Sequence, residues 1–221
     1  LNVIFLRPPS GTHLVYPPMQ LVLMATCCKN VANVEVLDCV GYQYNHKKFR
    51  EFMSNRDYDI LAVSAFSNDH DSSIECVKIA RERNKNVVTI IGGSHVYNLS
   101  KKDIDSKLWR YFDFMIYGES EKSLPLLIDK ISKVEKDFSD VKGLIYKNGN
   151  EIIANPPELI ENLDELPVPD WRLIDLYKYP RFYQFRSYPF AYTTTTRGCP
   201  YSCTFCAVPI ISGKKFRKRS V

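Results

Sequence analysis

The feature that most restricts how this chain can fold is an alternation that runs from Asn2 to Lys133. Short runs rich in Val and Ile, namely Asn2–Leu6, Val34–Cys39, Ile60–Phe66, Val87–Ile91 and Phe114–Tyr117, are separated by amphipathic stretches. Such runs suit strands buried on both faces. The intervening stretches Gln20–Lys29, Lys47–Asn55, Asp71–Arg83 and Glu121–Lys133 read as helices. In Asp71–Arg83, for example, Ile74, Val77, Ile79 and Ala80 form an apolar stripe opposite charged residues. Between Val96 and Tyr111 the pattern is weaker, with Ser100 a candidate N-cap. Strand–helix alternation at this spacing predicts right-handed crossovers and an α/β, doubly wound parallel sheet. Five strands in the flavodoxin-like order 2-1-3-4-5 put the switch point between the first and third, where ligands bind outside the carboxyl ends. The loops to watch are therefore Arg7–Pro18, Ser64–His70, Gly92–Val96 and Gly118–Glu121.

Beyond this domain, Gly143–Ile153 reads as a hairpin around Asn148-Gly149, a strong turn signal. Pro156 to Pro180, rich in proline and acidic residues, reads as an extended linker whose acids are structural. A β-rich run, Phe190–Thr196, then leads into a cysteine loop. The expected divisions are residues 1–138, a ligand-binding sheet domain; 139–189, hairpin and linker; and 190–221, the start of a further domain. Because the chain opens at Leu1 already within a strand, it is expected to be an excised piece of a longer protein.

Hydrophobic residues make up 45% and charged residues 25% of the 221, the balance of a soluble globular protein. No apolar run is long enough to span a bilayer and no charged-then-apolar leader opens the chain, so a cytoplasmic location and no membrane partner are expected. The net charge of +5 is concentrated in Lys214, Lys215, Arg217, Lys218 and Arg219. No aromatic stacking platform accompanies them, which disfavours nucleic acid. They are expected to form a solvated helical turn, loosely held from Ile210 onward, with one Arg near an anionic ligand. Of seven cysteines, Cys27, Cys28, Cys39 and Cys76 lie in apolar contexts and read as inert core thiols.

The other three cluster in Thr195-Thr196-Arg197-Gly198-Cys199-Pro200-Tyr201-Ser202-Cys203-Thr204-Phe205-Cys206. Cys199, Cys203 and Cys206 offer three thiolates on a tight loop, which leaves one iron of a [4Fe–4S] cubane open to chelate an amino acid's amine and carboxylate. A structural zinc site needs a fourth protein ligand, and no Cys or His follows Cys206. Phe205, between two ligands, is placed to pack against a bound adenine. Arg-Gly-Cys-Pro-Tyr-x-Cys-x-Phe-Cys after a strand resembles the signature of the radical S-adenosylmethionine superfamily. That resemblance implies cluster ligation by the three cysteines and a truncated β/α barrel of which only the first strand and cluster loop are present.

The sheet domain lacks Gly-x-Gly-x-x-Gly after its first strand, which disfavours a dinucleotide site. It does carry Gly92-Gly93-Ser94-His95 and Gly118-Glu119-Ser120-Glu121, whose glycines would let backbone approach a large planar ligand. With Pro17-Pro18, Val36-Leu37-Asp38 and Leu163-Asp164-Glu165-Leu166-Pro167, the series resembles the cobalamin-binding domain that precedes the barrel in B12-dependent radical S-adenosylmethionine enzymes. The resemblance implies three cofactors: cobalamin, a [4Fe–4S] cluster and S-adenosylmethionine. It implies methyl transfer to an unactivated position through a 5′-deoxyadenosyl radical, with flavodoxin or ferredoxin as electron donor and a small-molecule or peptide substrate. Ring formation or rearrangement, or a carrier module without catalysis, are the alternatives. Candidate cobalamin contacts are Pro9, Ser64, Ser67, Asn68, Gly92, Gly93, His95, Gly118 and Glu119. Each also has a plain structural reading: Ser64, Ser67 and Asn68 as helix caps, Gly118-Glu119 as a helix start, His95 as a turn histidine. The run Asp-x-His-x-x-Gly, which supplies a lower cobalt ligand in many cobalamin domains, is absent. His13 has Gly11 before it and Pro17 after it, so no histidine is expected on cobalt.

Overall fold

The computed structural model describes residues 1–12, 15–97, 108–182 and 184–220. His13 and Ser100 lie outside them. Parallel strands β1 (Asn2–Arg7), β2 (Asn33–Asp38), β3 (Ile60–Ser64), β4 (Val88–Gly92) and β5 (Phe114–Ile116) pair in the order β2-β1-β3-β4-β5. Helices α1 (Met19–Cys28), α2 (His46–Ser54), α3 (His70–Arg83), α4 (Ser94–Tyr97) and α5 (Ser123–Ser132) connect them. Side chains alternate between two cores along each strand. Ile4, Leu6, Leu61 and Val63 meet Phe49 and Met53 of α2 and Val77 and Ala80 of α3. Val3, Phe5, Ile60 and Ala62 meet Leu21, Val22 and Ala25 of α1 and Leu127 and Ile128 of α5. Burial on both faces explains why these strands read as continuous apolar runs.

The hairpin is not a separate element. Its strands β6 (Leu144–Asn148) and β7 (Glu151–Ala154) continue the sheet antiparallel from β5, giving seven strands. Asn148 pairs with Glu151, so the turn is Gly149-Asn150, one residue later than expected, with Gly149 at φ +62°. The sheet's outer edge on that side is thus a short antiparallel strand ending in a tight turn.

The linker folds as a strap. Asn162, Asp170 and Asp175 each accept a hydrogen bond from the backbone N–H two residues on, starting three single 3-10 turns. The strap crosses back over α1 to the β2 edge. Asp170 pairs with Lys29 at 2.5 Å and its N–H donates to Thr26 Oγ1, the Asp175 N–H donates to Tyr42 Oη, and Tyr179 Oη donates to Asp38 Oδ2 at 2.9 Å. Asp38 is fully buried; burial pushes its carboxyl pKa up, opposed by Arg7 at 3.6 Å. Asp170 and Asp175 thus start the strap's turns, and Asp170 also ties it to α1.

The chain's end departs from expectation. Of the β-rich run only its last residue, Thr196, joins a strand, β8 (Thr196–Arg197), which pairs antiparallel with β9 (Arg217–Lys218). The basic tail is neither helical nor loose. Arg217 is buried, Arg219 donates to the Leu166 and Pro167 carbonyls, and the Ser220 N–H donates to Asp164. Guanidinium groups find backbone carbonyls and carboxylates of the strap, which local charge pattern does not reveal.

Removing the Tyr179 hydroxyl leaves Asp38 buried with one partner fewer. Tyr179→Phe is expected to destabilise the fold by ~1–3 kcal/mol, read as a lower urea midpoint at unchanged m-value.

Candidate functional site

Two adjoining cavities open along the carboxyl edge of the sheet. The first, of about 480 Å³, lies over the ends of β3, β4 and β5. Its floor is apolar, formed by Phe5, Leu21, Met24, Ile90, Ile116 and Leu124; Ser64, Ser94, Tyr97, Glu119 and Ser120 make the polar rim. The second, of about 490 Å³, lies at the switch point between β1 and β3, lined among others by Arg7, Ser10, Thr12, Tyr16, Asn68 and Tyr192. Gln20, Leu21 and Ser64 line both, so the cavities share a wall. Both cavities are mostly apolar with a few polar side chains; a broad ring rimmed with amides near Arg7, Ser10, Thr12 and Asn68 and an aromatic base over the floor of the first would suit these linings, so the residues fit cobalamin.

Ser64, Gly92, Gly93, Gly118 and Glu119 line the first cavity and Ser64 and Asn68 the second. The glycines also have reasons within the chain. A Cβ at Gly93, where φ is +94°, would stand 2.6 Å from the Ala65 carbonyl oxygen. At Gly118, with φ +88°, it would stand 2.8 Å from Pro157. Glu119 is engaged rather than free: both carboxylate oxygens meet Arg217, and the Ile160 N–H donates to Oε2. Burial raises its pKa, but these hydrogen bonds outweigh burial and hold the carboxyl below its usual range.

Pro9, Ser67 and His95 line neither cavity. The Pro9 carbonyl accepts from Ser72, which in turn bonds His46. His95 is buried, with Nε2 3.0 Å from His70 Nδ1 and Nδ1 3.5 Å from Ser67 Oγ. This histidine pair joins α3 to α4 behind the cavities. His95 is thus held by His70 and lines neither cavity.

The cysteine loop lies between β8 and α6 (Val208–Ile211). Gly198, at φ +83°, lets the chain pass the Lys215 carbonyl, and the Cys199 N–H donates to the Gly213 carbonyl at 3.1 Å. Cys203 is exposed, Cys199 and Cys206 partly so. Phe205 is 92% exposed. Among the described residues no three Cys, His, Asp or Glu side chains gather as a metal-binding group, so the three sulfurs are not drawn together. Thiolates converge when a metal neutralises them, since binding and local folding are coupled. Their reachability and the donor set, three sulfurs in eight residues, fit a cluster. The other cysteines are different: burial and the Glu121 charge push Cys27 up to about 12, and burial raises Cys28, Cys39 and Cys76.

Sequence reasoning did not single out Arg197, Arg217, Glu121, Tyr97 and Arg7. The proximity of Arg197 to Cys199 and the Glu-x-Glu repeat were the signals available. Tyr97 Oη donates to the Ile211 carbonyl, joining the first cavity's rim to the cysteine segment.

A doubly wound sheet with a two-part cavity at its switch point defines a class of ligand-binding α/β domain. A model of the B12 binding domain matches residues 12–128, and the chain belongs to that family. It is 29% identical, over all its length, to 48% of an uncharacterized methyltransferase of Pyrococcus horikoshii. Over 94% of its length it is 24% identical to 35% of the anaerobic magnesium-protoporphyrin IX monomethyl ester cyclase of Cereibacter sphaeroides. The chain thus spans half or less of these relatives. The fold matches 30% of OxsB, a cobalamin-dependent S-adenosylmethionine radical enzyme solved with aqua-cobalamin and S-adenosylmethionine, with TM-score 0.73, 20% identity and 99% of this chain covered. Among the described residues no helix is long and apolar enough to cross a membrane.

The histidine pair gives the site region an acid sensitivity. Burial, then the neighbouring His70, lowers the His95 pKa below 6.5, so the unfolded chain takes the proton first. The contribution is intact above pH 6.5 and is lost as pH falls below it. Urea midpoints measured from about pH 7 to about 5 are expected to fall for the native chain and to fall less for His95→Gln.

Proposed function

We propose that this chain is the cobalamin domain and cluster loop of a radical S-adenosylmethionine enzyme that methylates an unactivated position of its substrate. One observation carries this reading: the flank of the cysteine loop walls the cofactor cavity. Thr194, Thr196, Arg197 and Gly198 line the first cavity together with Gly92, Gly93 and Gly118. The cysteine segment and the cavity that would take the cofactor's nucleotide end therefore share a wall, and the second cavity adjoins it.

When bound, the cluster, S-adenosylmethionine and cobalamin supply one-electron reduction, radical initiation and a methyl donor, chemistry no side chain provides. The chain's residues bind and orient. Cys199, Cys203 and Cys206 would hold the cluster. Arg7, Ser10, Thr12 and Asn68 would meet the corrin periphery, and the apolar floor of Phe5, Leu21, Ile90 and Ile116 would exclude water from the cofactor's aromatic base. Among the described residues, His70 and His95 bond each other and line neither cavity, so neither is assigned to cobalt. Flavodoxin or ferredoxin is the electron donor in this reading, and the cytoplasm its location. Ring formation is the second reading, favoured by the cyclase that matches 94% of the chain.

Full-length protein reconstituted anaerobically is expected to bind about four irons and one corrin. Replacing any one of the three cysteines by Ala should abolish the iron chromophore while corrin is retained; iron retained by the triple variant would refute the cluster. Paramagnetic resonance of the cob(II)alamin form should show no nitrogen splitting that depends on His13, His70 or His95.

A further inference from the structure

The loop after β5 and the strands flanking the cysteines meet in four charges closed to solvent. Arg217 grips Glu119 with both prongs, Nη1 to Oε2 at 2.7 Å and Nη2 to Oε1 at 2.6 Å. The same nitrogens donate to the Ile160 and Ser212 carbonyls at 2.6 and 2.7 Å. Arg197 hydrogen-bonds Glu121 and lies 3.5 Å from Glu119. All four side chains are between 2% and 8% exposed. Two cations and two anions balance.

Stability alone is a poor reason for such a cluster, since well-packed apolar side chains often serve as well as buried ion pairs. What forked guanidinium–carboxylate pairs add is direction. Here the direction runs between two sites. Glu119 and Glu121 belong to the cavity wall. Arg197 stands two residues before Cys199, and Arg217 is its partner across the β8–β9 ladder. Ile160 brings in the strap and Ser212 the far side of the cysteine loop.

We propose that Glu119, Glu121, Arg197 and Arg217 are positioning residues that fix the separation and orientation of the thiol site relative to the cofactor cavity. The proposal rests on the cobalamin and cluster reading above. Groups held at the two sites must act on one substrate, and misplacement by about 1 Å is enough to cost rate. A merely stabilising cluster would change melting and leave that separation alone.

Full-length protein loaded with iron, sulfide and cobalamin separates these roles. Pulsed paramagnetic resonance reads the distance between cob(II)alamin and the reduced cluster, with iron and corrin assayed on the same samples. Arg217→Lys and Glu121→Gln are expected to keep both cofactors and to shift or broaden the distance distribution. Arg197→Lys, which keeps the charge but loses the fork, should do the same. Unchanged distributions in loaded variants would overturn the proposal. A native protein that takes up no iron or no corrin would refute the functional reading itself, and the proposal with it. Hydrogen exchange on the cofactor-free protein supplies an independent arm. Glu119→Gln should speed exchange of the Cys199 amide, 80 positions away, and leave Ile90 and Ile91 of β4 protected; no change at Cys199 would count against the proposal. Should Glu119→Gln unfold, seen as exchange at Ile90 and Ile91, Arg197→Lys carries the same comparison.

Discussion

Four of the six strand pairings in the main sheet are parallel, and each parallel step needs a crossover that returns the chain to the same starting edge. The loops leaving β1, β3, β4 and β5 are consequently delivered to one edge. With β1 flanked by β2 and β3, crossovers to either side diverge and leave a crevice. Both cavities are products of that topology before any side chain is considered. Side chains then divide the crevice into one pocket under α1 and α5 and another under the β1 loop.

The same edge receives the cysteine segment, and the means of attachment is polar. Tyr97 holds the Ile211 carbonyl, Arg217 and Arg197 hold the Gly118–Glu121 turn, and Arg219 holds the strap. Apolar packing is scarce there: Tyr201, Phe205, Ile210 and Phe216 are exposed. The segment is thus oriented by a few directional bonds instead of by a core of its own.

Local patterns were sufficient where local physics decides. The five parallel strands and four long helices fall within two residues of the stretches read from Val/Ile runs and amphipathic stripes, because burial on one or both faces dictates those patterns. The switch-point loops were legible for the same reason. What was not legible depends on partners remote in sequence. Arg217 looked like part of a solvated basic tail because its carboxylate, Glu119, lies 98 residues away. The run Phe190–Thr196 has strand composition, but β9 pairs with only its last residue, Thr196. His95 stands beside a Gly-Gly turn, but its bond to His70, 25 residues away, has no signal in the local pattern. Gly93 and Gly118 are required by Ala65 and Pro157, so a glycine's presence in a ligand loop did not disclose which neighbour demands it.

The strap bears on the order in which the molecule can be made. Its bonds join residues 133 to 144 positions apart, from Tyr42–Asp175 to Thr26–Asp170. During synthesis, β1 through β7 emerge before Asp170, so the seven-stranded sheet can form while the strap's partners do not yet exist. Asp38 spends that interval without Tyr179, a carboxylate at the β2 edge awaiting its cover. The cysteine segment, anchored on Glu119 and Glu121, finds its place only against a sheet already built. A nascent chain thus shapes its cofactor crevice before it delivers the thiols to it.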